Sequence, residues 1–436
     1  MREKFEDYST IERLIGGPQL PRIFPVRQRL RDDSIPDPAA ETRRRLEASG
    51  VLPMIRPGMS VAITGGSRGI HQISAILREI VRFLREAGAK PFITAAMGSH
   101  GGATAEGQKS ILSGFGITEA FCGCPVVSSM ETVCLGTVTD GEEEVPVYMD
   151  RAAFEADGVV VVNRVKPHTG FRAPVESGLT KMMAVGLGKQ KGASNMHRSG
   201  FGSFAARIPL VGNYIRTHAN ILFGVAVVEN ACEKTNRIEV LHSEEIPEKE
   251  PVLLEYARSL MPHIPVAETD VLVIGEIGKH ISGSGMDPNI TGTFDSPYAS
   301  GGLRSQSICV LDLAEASHGC GNGIGGANVT TRRFYEKMDF LKSYTNSITS
   351  TSTTACRLPM VMRDDRMAIE LAVKTCHGVA PGAHRIVFLK NTLSLEELYL
   401  SEAFFGEVSQ MPGVEITGDC SPLAFDNRGN LMLWAH

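Results

Sequence analysis

Four histidines stand where loops could carry chemistry. His100 in MGSHGGAT and His168 in VNRVKPHTGF each follow an apolar run and sit beside Gly or Pro, while His197 in GASNMHRSG and His318 in LAEASHGCGNG lie in comparable small-residue stretches. Glycine lets a backbone approach a ligand closely, and loops at strand ends carry function out of proportion to their length. Imidazole, with an ordinary pKa of about 6.5, takes or gives a proton at neutral pH and also ligates metals. A structural role is the alternative for each. Two of the four lie in an unusual neighbourhood: between Asn163 and Arg198 stand Arg164, Lys166, Arg172, Lys181, Lys189, Lys191 and Arg198 against one acid, Glu176. With glycines at 170, 178, 186, 188 and 192, this stretch reads as poor helix material suited to an anionic ligand, or as a basic surface loop. A single aromatic, Phe171, is too little for stacking on nucleic-acid bases.

A glycine turn lies upstream in VAITGGSRGIHQI, residues 61–73. A dinucleotide cradle needs glycines against the pyrophosphate, a helix N-terminus and an acid about 20 residues on. Gly65, Gly66 and Gly69 supply a turn, but His71 replaces the last Gly of TGxxxGxG, and the next strand ends in ITAAMGSHGG with no acid at its tip. None of the eight tyrosines has a lysine four residues later, so the catalytic pair of the short-chain dehydrogenases is missing. Arg68 at this strand-to-helix turn is better read as a clamp for a carboxylate, which a guanidinium holds through two parallel hydrogen bonds.

The segment KPHTGFRAPVESGLTKMMAVGLGKQKGASNMH, residues 166–197, resembles the nickel-pincer-dependent lactate racemases and related 2-hydroxyacid racemases and epimerases. The shared features are a Pro-His pair, a Gly-aromatic step, a small-residue run to a lysine and a histidine sixteen residues beyond it; Lys181 and His197 meet that spacing. The GSHGG loop at His100 and the GGSRG turn at Arg68 match two earlier family loops in order. The resemblance implies a nickel-pincer nucleotide, pyridinium-3,5-bisthiocarboxylic acid mononucleotide with nickel, tethered to Lys181 through a thioamide and ligated by His197. It implies His100 and His168 as the acid-base pair and Arg68 as the carboxylate clamp, with the basic stretch offsetting the cofactor phosphate. Imidazole suits nickel, and a deprotonated lysine amine can be acylated. Cofactor-biosynthesis proteins of the host become implied partners. Gly65 stands where lactate racemases carry an acid, and RAPVESGLT lengthens the His168–Lys181 interval, so the expected substrate is a 2-hydroxyacid other than lactate. From the second domain Lys279 is the nearest candidate for a substrate contact, with His280 beside it. The competing readings are a hydrolase or lyase whose metal is held by His100, His168 and His197, and a binding relative that has lost the cofactor.

The elements that must position these residues read as α/β. The 436 residues, 42% hydrophobic and 21% charged, suggest two domains with packed cores. MSVAITG and KPFITAAMG read as parallel strands around a helix that stops at Gly88, ILFGVAVVEN as a strand, and PVYMDRAAFEADGVVVVNRV as a helical stretch feeding a buried strand. Past the acidic, proline-bearing 242–270 stretch, VLVIGEIG, SICVLDLA and RIVFLKN read as strands, and RRFYEKMDFLKSY, DDRMAIELAVKTC and SLEELYLSEAFFGEV as helices. The expected organisation is a cofactor-binding domain over 1–267, a second α/β domain over 268–405, both with mainly parallel sheets and an active-site cleft between them, and a segment 406–436 returning to the first. A net charge of −5 gives no general attraction to nucleic acid or membrane. The nine cysteines lack zinc-ribbon spacing, and no leader or membrane-length apolar run stands out, so a cytoplasmic protein with reduced thiols is expected. The oligomeric state stays open, a homo-oligomer included.

Overall fold

The computed structural model describes residues 7–434. The chain is α/β and divides into two compact units, residues 31–261 and residues 1–30 with 262–436. No helix among the described residues is long and apolar enough to cross a membrane.

Strand β1 (Ile23–Gln28) belongs to the split unit; the continuous unit begins at β2 (Ser60–Gly65) and β3 (Lys90–Ala95), followed by β4 (Val126–Val127), the hairpin β5 (Thr132–Asp140) and β6 (Glu143–Asp150), then β7 (Gly158–Arg164), β8 (Ile221–Glu229) and β9 (Thr235–His242). Its main sheet has the order β4-β3-β2-β7-β8-β9, parallel except for the last pair. Both faces are covered, as the apolar run Gly158–Val162 of β7 requires. Val159 and Val161 enter one core with Leu179, Met183 and Ile208, while Val160 and Val162 enter another with Ile76, Ile80 and Leu84. The helix read to end at Gly88 spans Ile73–Glu86, and Gly88 takes a positive φ of 85° beyond it.

The second unit holds β10 (Glu268–Ile277), β11 (Arg304–Leu313), β12 (Val329–Thr331), β13 (Met360–Met362), β14 (Ile386–Leu389), β15 (Glu397–Ser401) and β16 (Val414–Ile416). Its sheet runs β13-β12-β11-β10-β14-β15-β1-β16, parallel as far as β14 and antiparallel beyond.

Several expectations are corrected. The first domain does not begin at residue 1, nor does 406–436 return to it: β1 hydrogen-bonds between β15 and β16, so both chain ends complete the second unit's sheet. PVYMD is strand rather than helix, paired with β5, and only Arg151–Glu155 is helical. ELYLS within SLEELYLSEAFFGEV is likewise strand, because Leu398 and Leu400 alternate into the core and pair with β1. The glycine-rich 163–198 stretch contains helix after all, a turn at Leu179–Lys181, a π-helical turn at Met182–Gly186 and a helix at Lys189–Arg198, since burial of Leu179, Met183 and Met196 outweighs weak propensity.

Candidate active site

In the continuous unit the chain leaves β2 toward β3 on one side, and β7 pairs on its other side. The crevice at the carboxyl ends of two such strands is where open α/β sheets bind ligands. Ser67 and Arg68 follow β2, His100 follows β3, and His168, Lys181 and His197 follow β7. Close backbone approach joins the loops. Gly98 N–H donates to the Gly186 carbonyl at 3.1 Å, and a Cβ on Gly186 would lie 2.8 Å from the Ala96 oxygen. A Cβ on Gly66 would lie 3.1 Å from Met182 Cε, beside Lys181. The π-helical turn that follows Lys181 is a feature often found at functional sites.

His168 is oriented by its own loop. Its backbone N–H donates to Glu176 Oε2 at 2.5 Å, and its Nδ1 accepts the Gly170 N–H at 3.0 Å, so in the neutral ring the proton resides on Nε2. Glu176, fully buried, also pairs with Arg172 and Arg258 and accepts the Ala173 N–H. His168 packs on Phe171 with ring centres 4.5 Å apart, and Phe201 lies 5.8 Å from His168 and 5.9 Å from His197. His197 also packs on Phe204 at 5.0 Å; among the described residues neither of its ring nitrogens has a hydrogen-bond partner. Aromatic rings, rather than the hydrogen-bonded neighbour usual behind a ligating histidine, thus fix this imidazole. His100 Nδ1 meets Ser67 Oγ, and Gln108 holds the carbonyls of Gly98 and His100 with its amide, at 2.9 and 3.2 Å.

Electrostatics couple Lys181, Arg68, His168 and His197 into one cluster. Burial first, and then the charge of Arg68, lowers the Lys181 amine to about 7, with Glu176 opposing. Burial and Lys181 lower His197 to about 4. Burial, followed by Lys181, His197, Arg172 and Arg68, holds His168 well below the usual imidazole range. Around neutrality the cluster therefore contains two uncharged imidazoles and a partly deprotonated amine. Among the described residues, no group hydrogen-bonds to or ion-pairs with the side chains of Lys181 or Arg68.

The basic stretch is corrected in character. Arg164 pairs with Glu229, Arg172 with Glu176, Lys189 with Asp150 at 2.7 Å and Arg198 with Glu143 at 3.1 Å. Sequence-distant carboxylates pair with three of its seven cations, Arg164, Lys189 and Arg198, so less of its charge is open to an anion than the segment's composition implied. A Cβ on Gly65 would lie 2.8 Å from Leu112 Cδ2 and 3.3 Å from Ile93 Cγ2, so a larger side chain there would require these two to shift. Among the described residues, no three His, Cys, Asp or Glu side chains gather as a metal-ligand set; the alternative centre built from His100, His168 and His197 does not form.

Lys279 and His280 lie in the second unit, on the loop after β10, and His318 lies in the same unit after β11. Lys279 Nζ donates to the Gly283 carbonyl at 2.7 Å and to Asn346 Oδ1 at 2.9 Å, tying that loop to the helix Phe340–Thr349.

Two buried acids that support these loops escaped the sequence reading. Asp150 is one, and Glu250, from the helix Ile246–Ser259, is the other. Glu250 accepts the Thr180 N–H at 3.0 Å and the Thr180 hydroxyl, capping the turn that carries Lys181. No nearby cation offsets its burial, and its carboxyl is raised to about 7. A carboxyl raised from 4.5 in the unfolded chain binds more protons when folded, so its contribution to stability is present at low pH and lost as pH rises through this window. Glu250→Gln is therefore expected to flatten the fall in stability between those values by about 3 kcal/mol, measurable by urea unfolding across the range.

A family model described as Domain of unknown function (DUF362) matches residues 61–245, less than half of the chain. No curated protein matches. Among solved structures the chain is similar to a Thermotoga maritima protein at 14% identity and a TM-score of 0.50, covering 75% of this chain and 83% of that one. It is also similar to the lactate racemase apoprotein from Thermoanaerobacterium thermosaccharolyticum, at 16% identity and a TM-score of 0.43, covering 66% and 74%. The first likeness, at 14% identity, is one of fold alone.

Proposed function

We propose that the chain racemises or epimerises a 2-hydroxyacid other than lactate, using a nickel-pincer nucleotide held by Lys181 and His197. The observation that carries this reading is the gathering, at one sheet switch point, of a lysine amine lowered to about 7, an uncharged imidazole with both nitrogens unengaged, and an unpaired guanidinium. The donor set fits the group: an acylable amine for the tether, an imidazole for nickel and a cation for an acid. When bound, this cofactor supplies a centre that accepts hydride from the substrate's C2 and returns it. Arg68 holds the carboxylate and so fixes C2. His100 and His168 serve the C2 hydroxyl, whose proton must leave as the carbon becomes planar and return afterwards. They are not equivalent. Ser67 can both donate and accept, so His100 can present either a lone pair or a proton at Nε2. His168 presents Nε2–H and becomes a base there only by giving up the Gly170 contact.

His100→Asn is accordingly expected to lower kcat about 100- to 10,000-fold while leaving the cofactor adduct intact, measured by polarimetry and intact mass. The wider test co-expresses the chain with nickel-pincer biosynthesis genes and follows single enantiomers of a 2-hydroxyacid panel by chiral chromatography. Decay to an equilibrium of stereoisomers is expected for at least one acid. Hydrolysis or dehydration products, or no turnover by nickel-loaded protein, would overturn the reading.

A further inference from the structure

Lys181 has a chemistry available before any cofactor arrives. Its amine stands at a partly exposed position of the turn Leu179–Lys181, and no described residue occupies it by hydrogen bond or ion pair. The guanidinium of Arg68, whose charge acts on this amine and whose loop meets the lysine's turn where a Cβ on Gly66 would lie 3.1 Å from Met182 Cε, is likewise unpaired. Buried Met182 and Phe171 belong to the core beside this turn, and His168 and His197 feel the amine's charge. A desolvated lysine beside a second cation is the arrangement that makes an amine nucleophilic toward carbonyls near neutrality.

We propose that the cofactor-free chain binds 2-oxoacids covalently, Lys181 Nζ forming an imine with the 2-carbonyl while Arg68 clamps the carboxylate. The nitrogen lone pair attacks the carbonyl carbon, and the carbonyl oxygen takes up a proton to give a carbinolamine. The C–O bond then breaks as the C=N bond forms, and the oxygen leaves as water carrying the two protons lost by the amine. No oxidant or reductant is consumed. The low amine pKa supports the step, because a substantial fraction of Lys181 is unprotonated at neutral pH while surface lysines remain ammonium. The same step makes 2-oxoacids competitors for cofactor attachment. This inference shares Lys181 and Arg68 with the proposed racemase but does not require nickel.

The test uses the full chain made in a host without cofactor-biosynthesis genes, treated with pyruvate and cyanoborohydride, then digested for peptide mass mapping. Reduction fixes the imine as a secondary amine, adding the mass of pyruvic acid less one oxygen atom. Label on Lys181 at neutral pH is expected to exceed that on any other lysine by about tenfold or more. At about pH 9, where the amine is largely unprotonated even if its pKa rises on removal of a neighbouring charge, Arg68→Gln is expected to reduce labelling by pyruvate but not by acetone, which has no carboxylate. Label spread evenly over the lysines, or pyruvate and acetone responding alike to Arg68→Gln, would overturn the proposal. Wild-type mapping needs no variant to fold. If labelling fails while cofactor-competent cells still load Lys181, only this inference falls; labelling without nickel loading in such cells leaves it standing and removes the racemase reading.

Discussion

Lys181→Ala is expected to eliminate the covalent cofactor adduct and to lower racemisation at least about a thousandfold, because it removes the tether that places the reacting centre. The side chain is partly exposed and makes no hydrogen bond among the described residues, so its loss leaves no buried partner unsatisfied. Burial already disfavours this amine's charged form, so its removal should not lower stability, and intact mass, nickel content and turnover separate the loss of activity from unfolding. Lys181→Arg is a sharper control: a guanidinium keeps the charge but is not acylated, so activity should be lost as completely. An adduct surviving in either variant would move the tether elsewhere.

The largest stability effect is expected from Lys189→Met. Lys189 and its partner Asp150 are both fully buried, and the ammonium also donates to the Ala95 carbonyl at the end of β3. Asp150 accepts Thr94 Oγ1 at 3.2 Å and the Ala153 N–H at 2.8 Å. Removing the ammonium strands a buried carboxylate, which costs about 3–5 kcal/mol. Asp150→Asn added to Lys189→Met should recover part of the loss, since the amide oxygen can still cap Ala153 and no charge is stranded. Urea unfolding of the single and double variants measures both. The pair also joins the strand leading to His100 with the segment carrying Lys181 and His197, so the single variant should lose activity before it unfolds. Unchanged stability in Lys189→Met would show that the pair contributes no net stabilisation.

These two lysines show what sequence can and cannot reveal. Lys181 stands out in the sequence only through the family resemblance, in which its spacing of sixteen residues to His197 takes part. Lys189, eight residues on, looked like one more charge in a basic run, because its partner lies on β6 and its φ of +51° gives no signal in residue type. Glu250 was invisible for the same reason: its role comes from long-range burial. The apolar run GVVVV, residues 158–162, is readable as buried sheet. ELYLS is not, since leucines two apart beside further leucines satisfy helical and strand periods alike until β1 supplies a partner from the other end of the chain. The histidine loops were found by their glycines, but the difference between His100 and His168 rests on one serine hydroxyl and one backbone N–H that only folding brings into place.

The central claim is that hydrogen leaves and returns to C2 without passing through solvent. A C2-deuterated single enantiomer of whichever acid is turned over, incubated in ordinary water with the nickel-loaded chain, tests it by mass spectrometry and NMR of the inverted product. Deuterium retained at C2 is the expected result; replacement of that deuterium by solvent hydrogen would mean a carbanion route and would contradict the account.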